Sequence, residues 1–420
     1  MRPPDHTRRV VVTGLGVISP VGNDLATAWS NLCNGVSGIR EITKFDVSGY
    51  DQRAAGEVRD FVAGEWMDPK AARRSEAALH YGVAAAKQAV ADSGFEISDA
   101  NRTDVGVVFG SGAGGQSLMI DNYQSLRERG PRTVAPTFIA NALVDSPSGM
   151  IAIETGAIGH NLCIVSACAT GTHNVAEAAE AIRRGDCIAI ISGSTEMPLL
   201  EVGHAGFGNM RGLGNPRPGE PISTVSRPFD LTRDGFVLGE GAASLFLEDL
   251  ELAKARGAKI YAEVVGYGSA ADGWDMIQPV EGGAGSARAM RMALERRGVP
   301  ADEVDLINPH GTSTPLGDKR EAEAIWTVFG DHTPDIAISA TKSMTGHMMG
   351  AAGAFEAFAT VLSVAEQTVP ATINYRDPDP DCDLNIPRET EQRPIRYALS
   401  NNIGLGGHNG AVIFRRYDGD

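Results

Sequence analysis

The sequence predicts an α/β fold in which buried parallel or mixed sheets are covered by helices. Two observations carry this expectation. Short β-branched runs alternate with Ala-rich stretches of helical period along the whole chain. Many of the 50 glycines cluster where one pattern gives way to the other, at places where a backbone takes positive φ or approaches another group closely. Aromatic residues make up only 6% of the 420 positions, so the core must be built mainly from Ala, Val, Ile and Leu.

Taken in order, Val10–Thr13 reads as a strand and Ser75–Gly94 as an Ala-rich helix that stops at its glycine. Val105–Phe109 reads as a buried strand, followed at once by Gly110-Ser111-Gly112-Ala113-Gly114-Gly115. Leu162–Val165 is the next strand, with Cys163 inside it. The helix Thr172–Arg184 follows, then a strand Cys187–Ile191 ending at Gly193. Residues 197–234 are rich in Gly, Pro and Asn and read as irregular. A stretch of that length inside a compact protein is more often functional than idle. The second half repeats the theme. Val304–Asn308 and Ile336–Ser339 are strands, each followed by a turn and a helix, Asp318–Phe329 and Ala352–Ala365. Ala398–Asn401 and Ala411–Arg415 close the chain as a pair of strands. The repeated strand–turn–helix pattern permits an internal duplication, although identity between the halves does not establish one.

Composition narrows the function classes. With 42% hydrophobic and 21% charged residues the chain can bury a large core. A net charge of -16 argues against nucleic acid as the main partner, because a polyphosphate needs a basic footprint. It does not exclude an acidic partner docking on a local basic patch. The five cysteines, Cys33, Cys163, Cys168, Cys187 and Cys382, form no Cys-x-x-Cys pair, so neither a zinc ribbon nor a redox motif is expected. The N-terminal MRPPDHTRR segment lacks the apolar stretch of a signal peptide. No run of 18 apolar residues is present to cross a membrane. The expected location is the cytoplasm.

The most informative segment is Leu162-Cys163-Ile164-Val165-Ser166-Ala167-Cys168-Ala169-Thr170-Gly171-Thr172-His173. An apolar strand ends in small residues and a helix begins, which places Cys168 at an elbow near a helix N-terminus. Unpaired N–H groups there favour a thiolate, and small neighbours allow close approach of a substrate. A buried structural cysteine remains the alternative. His310, in Asn308-Pro309-His310-Gly311-Thr312, and His347, in Lys342-Ser343-Met344-Thr345-Gly346-His347, each follow a strand and precede a helix. Taken singly, each can be a loop or capping residue as readily as a catalyst. Their separation and the absence of neighbouring His or Cys make metal ligation a weaker reading. No Walker motif or Gly-x-Gly-x-x-Gly after a first strand supports nucleotide binding.

Together these segments give the chain a close resemblance to the β-ketoacyl-acyl carrier protein synthases of the elongating class, particularly synthase II. The resemblance runs from Arg9 to the C-terminus. It includes Val12-Thr13-Gly14-Leu15-Gly16, Ser226-Arg227-Pro228-Phe229-Asp230, Arg233-Asp234-Gly235-Phe236-Val237-Leu238-Gly239-Glu240 and Asn401-Asn402-Ile403-Gly404-Leu405-Gly406-Gly407-His408-Asn409. It implies a thiolase-like fold of two duplicated α/β halves in an α-β-α-β-α arrangement. Residues 1–255 would carry the nucleophile and residues 256–420 the two histidines. The family usually forms homodimers.

The resemblance also assigns roles. Cys168, His310 and His347 match the catalytic set, with Lys342 and Glu356 as supporting charges. Backbone N–H groups of Cys168 and Leu405 would hold the oxyanion. Thr312 and Thr314 match positions that bind the phosphopantetheine arm, Phe207 a residue near the malonyl site, and Ala113 a residue of the acyl tunnel. Lys70, Arg73, Arg74, Arg132 and Arg211 match a docking region for acyl carrier protein. The reaction implied is the decarboxylative condensation of malonyl-acyl carrier protein with an acyl group held on Cys168, with no metal or organic cofactor. Initiating synthases use Cys, His and Asn, and thiolases a second Cys where this chain has His408 and Asn409. A standalone polyketide ketosynthase would share every catalytic residue, and a chain-length partner without activity would normally lack Cys168. The chain departs from the family at Leu405 and Ile403, where Phe is usual, at His408 in place of Thr, and at Ile277 in place of Thr. These departures bear on gating and chain length.

Overall fold

A computed structural model describes residues 7–419. The leading residues 1–6, part of the segment read above for a signal peptide, lie outside the described residues. Ten strands form one sheet. The first half supplies β1 (Val10–Ile18), β2 (Val105–Gly110), β3 (Asn161–Leu162), β4 (Ala189–Glu196) and β5 (Gly241–Asp249). The second supplies β6 (Ala262–Ala271), β7 (Val304–Asn308), β8 (Ala337–Ile338), β9 (Tyr397–Gly404) and β10 (His408–Arg415). Their order is β8-β7-β9-β10-β6-β1-β5-β4-β2-β3.

That order contains the duplication. From its outer edge each half reads third, second, fourth, fifth, first strand. The pairings match as well: third with second and second with fourth are parallel, while fourth with fifth and fifth with first are antiparallel. The halves join where Val10–Val12 of β1 pair antiparallel with Ala262–Val264 of β6.

The helices that position the site are α1 (Ala77–Ser93), α2 (Gln116–Arg129), α3 (Thr170–Arg184), α4 (Glu201–Asn209), α5 (Ala284–Glu295), α6 (Pro315–Phe329) and α7 (Ala352–Glu366). Helix α1 lies on β1, β4 and β5, and α5 on β6, β9 and β10. Helices α3 and α7 pack on each other and touch strands of both halves, which yields the five layers. Helix α7 is apolar on every side and buried from Ala352 to Val364, as a central-layer helix must be. Its one buried charge is Glu356. The outer helices approach the sheet unusually closely, and each half uses the same device. A Cβ added at Gly14 or Gly16 would lie 2.0 or 1.9 Å from the carbonyl oxygens of Ala89 or Ala85. At Gly266 or Gly268 it would lie 2.2 or 1.9 Å from those of Ala293 or Ala289. Glycine on the strand and alanine on the helix are what the spacing requires.

Three expectations need correction. The strand expected at Leu162–Val165 ends at Leu162, so Cys163 lies outside it. The backbone after Leu162 turns to side-chain partners: Ile164 N–H donates to Asn174 Oδ1 at 3.0 Å, and the Ile164 carbonyl accepts from Asn174 Nδ2 at 3.2 Å. Gly193 does not end its strand. It sits inside β4, where a Cβ would be 2.1 Å from the Ala243 carbonyl oxygen. The 197–234 region is not wholly irregular, since it holds α4 and a short 3₁₀ turn at Ile222–Thr224. Among the described residues no helix is long and apolar enough to cross a membrane.

Candidate active site

Cys168 sits in a 3₁₀ turn, Ala167–Ala169, that runs directly into α3. Small residues permit this elbow: Ala167 takes φ +51°, and Gly404 of the β9–β10 hairpin lies against Ser166 and Cys168. His310 lies two residues beyond the C-terminal end of β7, whereas His347 comes nine residues beyond β8, after a helical turn at Lys342–Thr345. The fold brings the three together. His347 Nε2 is 3.1 Å from Cys168 Sγ. The His310 and His347 rings meet edge to face with centroids 5.2 Å apart, and Phe236 closes on His347 at 5.6 Å.

Both histidines are held as neutral imidazoles. Burial pushes each pKa well below the ordinary value, and the nearby Lys342 ammonium adds to this. Their Nδ1 atoms are buried without a hydrogen-bond partner among the described residues. A bare acceptor is cheaper to bury than a bare N–H, so this favours protons on Nε2, which in His347 faces Cys168 Sγ. Cys168 departs from the expectation of a lowered pKa. Burial pushes its thiol up to about 11, and the Leu405 backbone N–H and Lys342 only partly offset this. Local helix geometry favours a thiolate, but desolvation outweighs it.

Lys342 and Glu356 form a buried ion pair, 2% and 1% exposed, and Asn402 Nδ2 donates to the second Glu356 oxygen at 2.7 Å. They lie beneath the cavity rather than on its wall. The cavity, about 360 Å³, is lined by Cys168, His310, His347, Phe207, Thr312, Thr314, Leu405, Ile403, Ile277 and Arg211. Thr312 and Thr314 hydroxyls are 3.0 Å apart on that wall. Ala113 lies elsewhere. Its loop wraps the buried Glu196, which accepts from Ser111 Oγ at 2.6 Å and Gly112 N at 2.8 Å, and Ala113 itself is exposed. Lys70, on the short helix Pro69–Ala72, and Arg73, Arg74 and Arg132 are exposed as a docking surface requires. Of the five basic residues only Arg211 reaches the cavity.

Two supports escaped sequence reasoning. Glu321, on α6, accepts the backbone N–H groups of His310 and Gly311 at 2.6 and 2.7 Å and the Asn401 amide at 2.7 Å. Asn402, on β9, holds the Glu356 carboxylate from the opposite side to Lys342. An acidic residue on the buried face of the helix after His310 was the available signal for the first. Among the described residues no cluster of three His, Cys, Asp or Glu side chains could hold a metal ion.

Comparison with known proteins decides the family. Sequence models of the N-terminal and C-terminal domains of β-ketoacyl synthases match residues 7–253 and 261–376. The chain belongs to the β-ketoacyl synthase family. It is 43% identical over 414 residues to 3-oxoacyl-acyl-carrier-protein synthase 2 of Staphylococcus aureus (strain N315), covering 98% of this chain and 99% of that one. With the protein of the same name from Coxiella burnetii it shares 45% identity over 410 residues, 97% and 99% of the two chains. Among solved structures, a β-ketoacyl synthase from Burkholderia phymatum STM815 superposes with a TM-score of 0.89 at 33% identity, covering 98% of this chain and 100% of that one. A ketosynthase solved in complex with its type II polyketide acyl-carrier protein gives 0.89 at 32%, with the same coverage. These neighbours share the layered, duplicated fold. Within the family, a cysteine at the elbow and two histidines on one cavity are the arrangement to be explained.

Proposed function

We propose that this β-ketoacyl synthase elongates acyl chains by two carbons, condensing malonyl-acyl carrier protein with an acyl group held on Cys168. The observation that carries this is the 3.1 Å approach of His347 Nε2 to Cys168 Sγ, with His310 facing the same cavity. Cys168 Sγ attacks the carbonyl of an acyl thioester. The carrier's sulfur leaves and takes the cysteine's proton. A thiol raised by burial fits a nucleophile that is protonated at rest and activated only when substrate fills the site. The backbone N–H groups of Cys168 and Leu405 hold the tetrahedral oxyanion, and losing one such donor costs about 3 kcal/mol. Malonyl thioester then loses its carboxylate as carbon dioxide. The electron pair of that bond becomes an enolate, stabilised by the two Nε2–H donors. Its carbon attacks the acyl-cysteine, forming the new C–C bond and expelling the Cys168 thiolate, which takes a proton from solvent.

Acyl carrier protein is the proposed partner. Thr312 and Thr314 would take its phosphopantetheine arm, Phe207 would flank the malonyl group, and the exposed cations would meet its acidic surface. A homodimer is proposed on the β3 edge, since Leu162 of that strand is exposed and the same half also exposes Ile153 (76%), Ile158, Val165, Tyr123 and Ile139. Ala113 would line the acyl tunnel from that side. A division near residues 255/256 and a cytoplasmic location belong to the same proposal. The test is elongation of six- to sixteen-carbon acyl-acyl carrier proteins with malonyl-acyl carrier protein. One round, yielding a β-ketoacyl product and carbon dioxide, supports the reading. Several rounds on one carrier would make it a polyketide ketosynthase, and no product at any length would refute both. In C168A, condensation should fall below about one per cent while some malonyl decarboxylation survives.

A further inference from the structure

The nucleophile rests on a strained support. Ala167, just before Cys168, has φ +51°, a region that an L side chain holds only where its surroundings impose it. Ser166, one residue earlier, is secured at every polar atom. Its N–H donates to Thr170 Oγ1 at 2.9 Å, and its carbonyl accepts from Ala169 N at 3.1 Å. Its hydroxyl does not cap the turn. It lies 2.6 Å from Nδ1 of His173, five residues beyond the nucleophile on α3. His173 does not line the cavity that holds Cys168.

The other side of the imidazole meets the second half of the molecule. Its Nε2 is buried, and a Cβ at Gly410 of β10 would sit 3.0 Å from it. The strand therefore leaves out a side chain where the ring lies. Burial lowers the His173 pKa and holds the ring neutral. With an Nε2 proton turned toward the Asn409 backbone, Nδ1 is left to accept from the Ser166 hydroxyl. The β9–β10 hairpin also touches the elbow at Gly404, where a Cβ would fall 2.5 Å from the Ser166 carbonyl oxygen. It also brings the Leu405 N–H to Cys168.

We propose that His173 is a positioning residue for acyl transfer. By accepting the Ser166 hydroxyl and resting on Gly410, it keeps the Cys168 elbow in register with Leu405, so that the two backbone N–H groups converge on the thioester oxygen. This rests on the condensation reading above. It separates the two half-reactions, because malonyl decarboxylation draws on His310 and His347 rather than on the elbow.

The test uses the full chain with octanoyl- and malonyl-loaded acyl carrier protein, measuring single-turnover acylation of Cys168 and malonyl decarboxylation separately. H173F keeps ring bulk without the acceptor, and H173N offers an amide oxygen near the Nδ1 position. H173F should slow acylation at least about tenfold, as small misplacements of reacting groups do, with decarboxylation within about twofold of wild type. H173N should recover most of the acylation. S166A removes the same hydrogen bond with a smaller change, and should reproduce the selective loss. The S166A/H173F pair should be no slower than H173F, since residues acting as a unit are non-additive. Wild-type acylation in S166A would overturn the proposal. So would equal loss of both half-reactions without recovery in H173N. A wild-type chain that takes no octanoyl group refutes the condensation reading instead.

Discussion

Replacing Lys342 by Ala should destabilise the fold in a pH-dependent way. Lys342 and Glu356 are 2% and 1% exposed and pair directly, with Asn402 on the second carboxylate oxygen. Removing the ammonium leaves a buried carboxylate with one hydrogen bond, a change that typically costs about 3–5 kcal/mol. A chain of 420 residues melts with an entropy of about 0.9 kcal/mol/K, so Tm should fall by about 3–6 °C at pH 8. Protonation offers an escape. Burial raises the Glu356 pKa even with Lys342 opposing it, and K342A raises it further. A carboxyl whose folded pKa lies above its unfolded one destabilises the fold at high pH. That penalty disappears as pH falls toward the unfolded value of about 4.3, by up to about 1.4 kcal/mol per unit. The Tm deficit against wild type should therefore shrink between pH 8 and pH 5.5. The raised carboxyls of Glu321 and Asp318 are common to both proteins and cancel in the difference. In K342A/E356Q, where no charge remains to bury, most of the loss should be recovered. The assay is scanning fluorimetry at one scan rate and protein concentration. Equal Tm values at pH 8, or a deficit that does not shrink at pH 5.5, would refute this account of the pair.

Iodoacetamide labelling of Cys168 should accelerate steadily with pH from 7 to 9.5, since its thiol is pushed up to about 11; a plateau by pH 8 would mean a preformed thiolate. Charge reversal in R73E/R211E should raise KM for acyl carrier protein substrates and flatten their salt dependence, and an unchanged KM and salt slope would remove these residues from the docking surface. Ala113→Phe should shift kcat/KM toward short acyl chains, by about 1–3 kcal/mol per methylene excluded; coincident profiles from six to sixteen carbons would place Ala113 outside the tunnel.

The local pattern placed Cys168 and His310 at turns between a strand and a helix, but left each open to a structural role, and only the resemblance grouped them with His347. What surrounds them was not legible. Glu321 holds His310 from a helix eleven residues on, and only the path of that helix decides that its carboxylate meets two backbone N–H groups. The thiol was misjudged for a related reason: a helix N-terminus is visible in a dozen residues, whereas desolvation is imposed by His347, Phe236 and a hairpin more than two hundred positions away. The short β3 shows the converse, an apolar run whose backbone found side-chain partners in Asn174 and left the ladder. The duplication lay in between. Overall identity between the halves hides it, yet the Gly-x-Gly pairs at 14/16 and 266/268 each face alanines four apart, at 85/89 and 289/293. Two backbones that approach this closely tolerate almost no other residues. Contacts of that kind outlast the divergence of the side chains around them, and they are where a duplicated fold is best sought in a single sequence.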